Sequence, residues 1–176
     1  MFLISFALIL FELVMTRLFG VVIFANFAHL ALALAMLGIG IGAIMQHMRP
    51  SFVPDEGLEN RLATLAILQG ASTFVAVVAV LQMPLTTQFQ EAPSGYGERS
   101  SVAMNLVDPF WFAMLLPVLT IPFIIAGLSF AGVFHRRKQY IGRLYGADLI
   151  GGAIGALVFV PLLTFLPGPD TVFVIL

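Results

Sequence analysis

Five apolar runs of about 20 residues dominate the chain, at 2–20, 22–45, 62–83, 109–134 and 145–166. A helix needs about 20 mostly apolar residues to cross a hydrocarbon core roughly 30 Å thick. Inside that core every backbone N–H and C=O must be satisfied within the segment, so runs of this length form helices. Composition leaves little alternative. Sixty percent of the 176 residues are hydrophobic, 10% are charged, and the mean hydropathy is +1.05. A soluble domain carries about 25% charged residues, and this chain cannot coat a globule in water. The expected fold is all-α, a polytopic transmembrane bundle of five full spans forming a single domain over 1–176.

The connections read as polar segments. "QHMRPSFVPDEGLENR" (46–61) is a Pro-bearing loop, and "PLTTQFQEAPSGYGERSSVAMNLVD" (84–108) is a long connection. "HRRKQYIGR" (135–143) is short and basic, and "PGPD" (167–170) is a turn. The run "TVFVIL" (171–176) starts a further span and stops after covering roughly 9 Å. The simplest expectation is a truncated sixth span, with a short interfacial tail as the alternative. The first run lacks a basic leader, and Glu12 and Arg17 interrupt it, so it does not read as a cleaved signal.

Basic residues set the expected orientation. The 135–143 loop carries Arg136, Arg137, Lys138 and Arg143 with no acid, which places it in the cytoplasm. Alternation then puts the N-terminus and the 46–61 loop there too, and the 84–108 connection outside, for a multi-pass protein of the cell (plasma) membrane. Net charge is −1, so nucleic acid is not an expected partner. Cysteine is absent, which removes disulfides and thiolate-held metals.

"GRLYGADLIGGAIGA" (142–156) has the look of a nucleotide loop, but no strand precedes it and neither phosphate-loop spacing is present. Its glycines instead sit four apart: Gly142 and Gly146, and Gly151 and Gly155. Gly152 and Ala156 repeat the spacing. Small residues at this interval clear a helix face for a neighbour's backbone. "GIGIGA" (38–43) repeats the device with Gly38 and Gly42, and Gly40 opens a second side.

Charged groups inside spans are costly, at least about 2.5–3.5 kcal/mol at the bilayer centre, so each marks a structural or functional contact. Glu12 and Arg17 are five apart and diverge by about 140° around a helix, so each faces a different neighbour or cavity. Glu12 reads as an interhelical hydrogen-bonding group or as a binding or proton-handling carboxylate in a cavity. Asp148 reads as a cap or packing anchor, or as part of a polar site. Asn26 and His29 share a face of the second span that could meet Arg17. No second His or Cys stands at ligand spacing, so no metal site is expected. His47 and His135 are isolated, and no catalytic constellation can be argued. The candidate intramembrane polar site therefore comprises Glu12, Arg17, Asn26, His29, Arg143, Tyr145 and Asp148. The candidate packing glycines are Gly38, Gly42, Gly146, Gly151 and Gly155.

The stretches "FELVMTRLFG", "LALAMLGIGIGA", "IPFIIAGLSFAGVF" and "GRLYGADLIGGAIGAL" occur in that order. Together they resemble the N-terminal membrane domain of the membrane-bound spermidine synthase-like proteins, which are related to polyamine aminopropyltransferases. The matching positions are Glu12, Thr16, Arg17, Gly38, Gly42, Pro122, Gly127, Arg143, Tyr145, Gly146, Asp148, Gly151 and Gly155. The match covers most of the chain and is weakest over 84–108. The resemblance implies a cytoplasmic synthase-like domain as covalent or associated partner, with the lipid bilayer as solvent and a polyamine or other small cation as candidate ligand. In that family the soluble domain binds decarboxylated S-adenosylmethionine and carries the catalytic Asp. No such stretch occurs here, so the chain is expected to hold no catalytic residue and no cofactor. The competing expectation is a stand-alone small-solute transporter or permease module, which intramembrane charges and Pro117, Pro122 and Pro161 inside spans also fit.

Overall fold

The computed structural model describes residues 1–22, 28–54, 57–82, 85–92, 100–107 and 109–165. Five long helices form the bundle: α1 (Phe2–Val22), α2 (Ala28–Met48), α3 (Leu58–Leu81), α4 (Pro109–Arg136) and α5 (Ile141–Phe165). All five are long and apolar enough to cross a bilayer, which makes this a membrane protein with an all-helical spanning part. The expected spans are met in number, with shifted bounds. The third helix begins at Leu58 and the fifth at Ile141, because both recruit polar residues into a first turn outside the apolar run. The second helix is described from Ala28 rather than 22. The 171–176 run falls outside the described residues, as does Asn26.

The connection at 84–108, expected as a polar loop, contains two strands, β1 (Leu85–Ala92) and β2 (Ser100–Val107). They pair antiparallel, with Leu85 opposite Val107 and Ala92 opposite Ser100. Thr, Val and Phe favour the extended backbone, and both strands carry them.

Helices α1, α2, α4 and α3 pack in that order around a closed bundle, with lighter contact between α3 and α1, and α5 lies outside it against α1. The most extensive seam joins α2 to α4, followed by α1 to α5 and α3 to α4. Phe11, Met15 and Phe19 of α1 meet Leu119 and Phe123 of α4 in the main core. The rings of Phe11 and Phe123 lie 5.1 Å apart, close enough to add aromatic attraction to burial.

Glycine sets the α2–α4 seam. A methyl group on Gly38 would meet Phe123 Cβ at 2.5 Å, and one on Gly42 would meet the Leu128 amide nitrogen at 2.6 Å. Gly127 answers from α4, where an added Cβ would run into the backbone of Ile39. The two backbones touch because all three side chains are missing. Gly40 faces open space. Pro122 lies within α4 and is fully buried, and it leaves the Val118 carbonyl without its usual amide donor.

A short 3-10 turn, Pro50–Phe52, closes the end of the bundle where α2 stops and α3 starts. Val53 is fully buried, seated where a Cβ on Gly132 would stand 2.8 Å from its side chain. Arg136 donates to the carbonyls of Val53 and Pro50 at 3.2 and 3.1 Å, and Arg61 donates to the Phe52 carbonyl at 2.8 Å. Gln46 Nε2 donates to the Pro50 carbonyl at 3.4 Å, while its buried Oε1 has no hydrogen-bond partner among the described residues.

Candidate functional site

The polar groups that the fold brings together lie along the seam between α1 and α5. Both helices run the same way here, since Gly151 faces Phe2 and Gly155 faces Phe6 one turn further along. A Cβ on Gly151 would strike the Phe2 carbonyl oxygen, and one on Gly155 would reach the Phe6 carbonyl oxygen at 3.0 Å. Gly152 lies beside Ile9, with an added Cβ 3.4 Å from its Cγ1. Gly151 and Gly155 therefore do what their spacing suggests, and α5 docks on α1 by backbone approach.

That approach presses Asp148 against α1. The Ser5 hydroxyl, 2% exposed, donates to Asp148 Oδ1 at 2.5 Å. It also lies 3.1 Å from the Met1 carbonyl. A hydroxyl has one proton, so only one of these acceptors is served at a time. Ser5 carries no charge and sits in an apolar run, so sequence reasoning passed over it. Its signal was the spacing of seven to Glu12, which puts the two on one helix face about 10 Å apart along the axis. Positions 2, 5, 6 and 9 all meet α5, and Glu12 continues that stripe. Glu12 is half-buried, and its carbonyl accepts from the Thr16 hydroxyl at 2.8 Å.

The other expected members do not join them. Arg17 is half-buried on α1, turned away from Glu12 by its spacing. His29 is exposed at the start of α2, and Arg143 and Tyr145 are exposed on the first turns of α5. Methyl groups on Gly142 or Gly146 would meet nothing within 4 Å, so none of the described helices packs on that pair. The reason is that α5 turns toward α1 only from Asp148 onward. No group of three His, Cys, Asp or Glu able to hold a metal occurs among the described residues.

A separate cleft of about 400 Å³ opens between α1 and α3. Leu3, Ala7, Leu10 and Val14 form one wall, and Ala66, Gly70 and Val77 the other. Its polar groups are Gln69, 5% exposed, and Thr73, whose hydroxyl is bonded to the Gln69 carbonyl at 2.8 Å. It has no carboxylate in its lining, so it suits a neutral or amphipathic molecule better than a cation. Compared with known proteins, the chain matches no family model, no curated protein and no solved structure.

Proposed function

We propose that this chain is a membrane-anchoring module of the spermidine synthase-like type, holding a cytoplasmic domain at the bilayer and engaging a small cation at the α1–α5 seam. In this reading the chain supplies no catalytic group. Its N-terminus and the 135–143 connector face the cytoplasm of a plasma-membrane protein, which the run of four cations without an acid supports. The observation that carries the cation reading is the Asp148 carboxylate, held at a glycine-lined helix seam by Ser5, whose face of α1 also carries Glu12. Carboxylates spaced along one stripe suit a linear polyamine, whose ammonium groups each make charge-assisted hydrogen bonds.

The test is spermidine titration by calorimetry on the intact protein in detergent. Asp148→Asn and Glu12→Gln should each weaken binding about 10-fold, since a hydrogen bond to a charged group contributes about 1.5–3 kcal/mol. Unchanged affinity in both variants would defeat the cation reading.

The α1–α3 cleft favours a second reading, a stand-alone small-solute transporter module. Its chemistry selects an uncharged solute, with Gln69 and Thr73 as the orienting groups. Solute uptake into proteoliposomes holding this chain alone, reduced by Gln69→Leu, would place this reading first.

A further inference from the structure

We propose that the wedge between α4 and α5 is a binding site for an anionic glycerophospholipid. Consecutive helices joined by a short connection normally pack against each other. Here the three-residue turn Lys138–Tyr140 joins α4 to α5, yet the two helices scarcely touch, because α5 swings across to α1. Only 17% of the α5 span is buried in the chain, against 56% for α4.

The divergence leaves a cleft of about 450 Å³ lined by Phe134, Ile141, Gly142 and Tyr145, all apolar in their lining surface. Gly142 keeps its α5 wall open, with nothing within 4 Å of where a side chain would begin. The depression is open, so it seats a segment of acyl chain against these four residues rather than enclosing it.

The residues that adjoin the cleft in sequence are cationic. Arg137 and Lys138 lie three and four residues after Phe134, Arg143 adjoins Gly142, all three are exposed, and the connector from 135 to 143 contains no acid. Arg136, by contrast, is engaged on the carbonyls of Pro50 and Val53. The nearest carboxylate along α5, Asp148, is bonded to Ser5 of α1. Exposed Tyr140 and Tyr145 flank the cations, and tyrosine favours the headgroup level of a bilayer. An apolar slot capped by three cations at the interface matches a molecule with acyl chains below a phosphate, and a net negative headgroup in particular. A zwitterionic lipid offers the same chains without the net charge.

The experiment is native mass spectrometry of the intact protein released from detergent containing equal amounts of phosphatidylglycerol and phosphatidylcholine. The expected result is retained phosphatidylglycerol, at about 10-fold over phosphatidylcholine, as each interfacial cation adds several-fold to anionic-lipid affinity. The combined variant Arg137→Gln, Lys138→Gln, Arg143→Gln should bring the ratio close to one. Gly142→Leu, which fills the slot from an open position, should lower retention of both lipids and keep the ratio. Equal retention of both lipids by the unmodified protein would overturn the proposal, and so would a triple variant that keeps the preference. Displacement of phosphatidylglycerol by millimolar inorganic phosphate, with Gly142→Leu without effect, would overturn the acyl slot and leave a bare anion patch.

Discussion

Gly42→Ala is the sharpest perturbation that the α2–α4 seam allows. The added methyl group would lie 2.6 Å from the Leu128 amide nitrogen and still closer to the Ile124 carbonyl oxygen. Both are backbone atoms of a helix, so neither can rotate aside. Moving the Leu128 contact from 2.6 Å to an ordinary 3.4 Å requires the helices to part by about 0.8 Å. A gap of about 0.5–1 Å forfeits a quarter to a half of the dispersion attraction of each pair it separates. The loss spreads over Gly38, Ile39 and Gly127, which share the seam. Overpacking of this kind costs about 1–3 kcal/mol. Gly40→Ala, two residues away on the same helix, adds its methyl group to open space. It should be neutral or stabilising by up to about 1 kcal/mol, since alanine restricts the unfolded chain and favours helix. The assay is thermal unfolding of the detergent-solubilised protein, read by the fraction remaining monodisperse after heating. Gly42→Ala should melt several degrees lower and Gly40→Ala at or above the unmodified protein. Equal melting of the two variants would refute the close-contact account.

Three further outcomes follow from the same geometry. Ser5→Ala should destabilise by about 1–3 kcal/mol, because it leaves the half-buried Asp148 carboxylate without its hydroxyl donor, and thermal unfolding reads it directly. Gly132→Val should drive into Val53 and release the 50–53 turn, seen as faster protease cleavage between Arg49 and Arg61. Arg136→Gln removes the guanidinium bonds to Pro50 and Val53, and should increase amide hydrogen exchange over the same turn while leaving that of α5 unchanged.

The bundle was legible because lipid leaves few choices. An apolar run of sufficient length must be a helix, and all five expected spans are present. The close seams were legible too, for Gly38, Gly42, Gly151 and Gly155 each meet a backbone. Gly142 and Gly146 carry the same spacing and meet none. Spacing reports that a face is open, and only the path of the neighbouring helix decides whether anything fills it. The polar site was legible in part. Asp148 and Glu12 stand out as charges in apolar runs, whereas Ser5 is neutral and its partner lies 143 residues away. Arg136 reads in sequence as an orientation signal, and the fold uses it, together with Arg61, to hold carbonyls of a turn. The strands at 85–92 and 100–107 were missed because Thr, Gln and Ser beside Gly and Pro resemble an irregular connection.

Everything proposed for the α1–α5 seam depends on α5 lying against α1 in the register described. The chain has no cysteine, so an introduced pair reports on that register without background. A Cβ at Gly155 would stand 3.6 Å from the Ile9 Cβ, within the separation of about 3.5–4.5 Å that a disulfide requires. The measurement is oxidative cross-linking of Ile9→Cys with Gly155→Cys in native membranes, compared with Ile9→Cys paired with Gly146→Cys. The account predicts an intramolecular disulfide in the first pair and none in the second. Cross-linking of both pairs, or of the second alone, would contradict the seam and with it the placement of Asp148 beside Ser5.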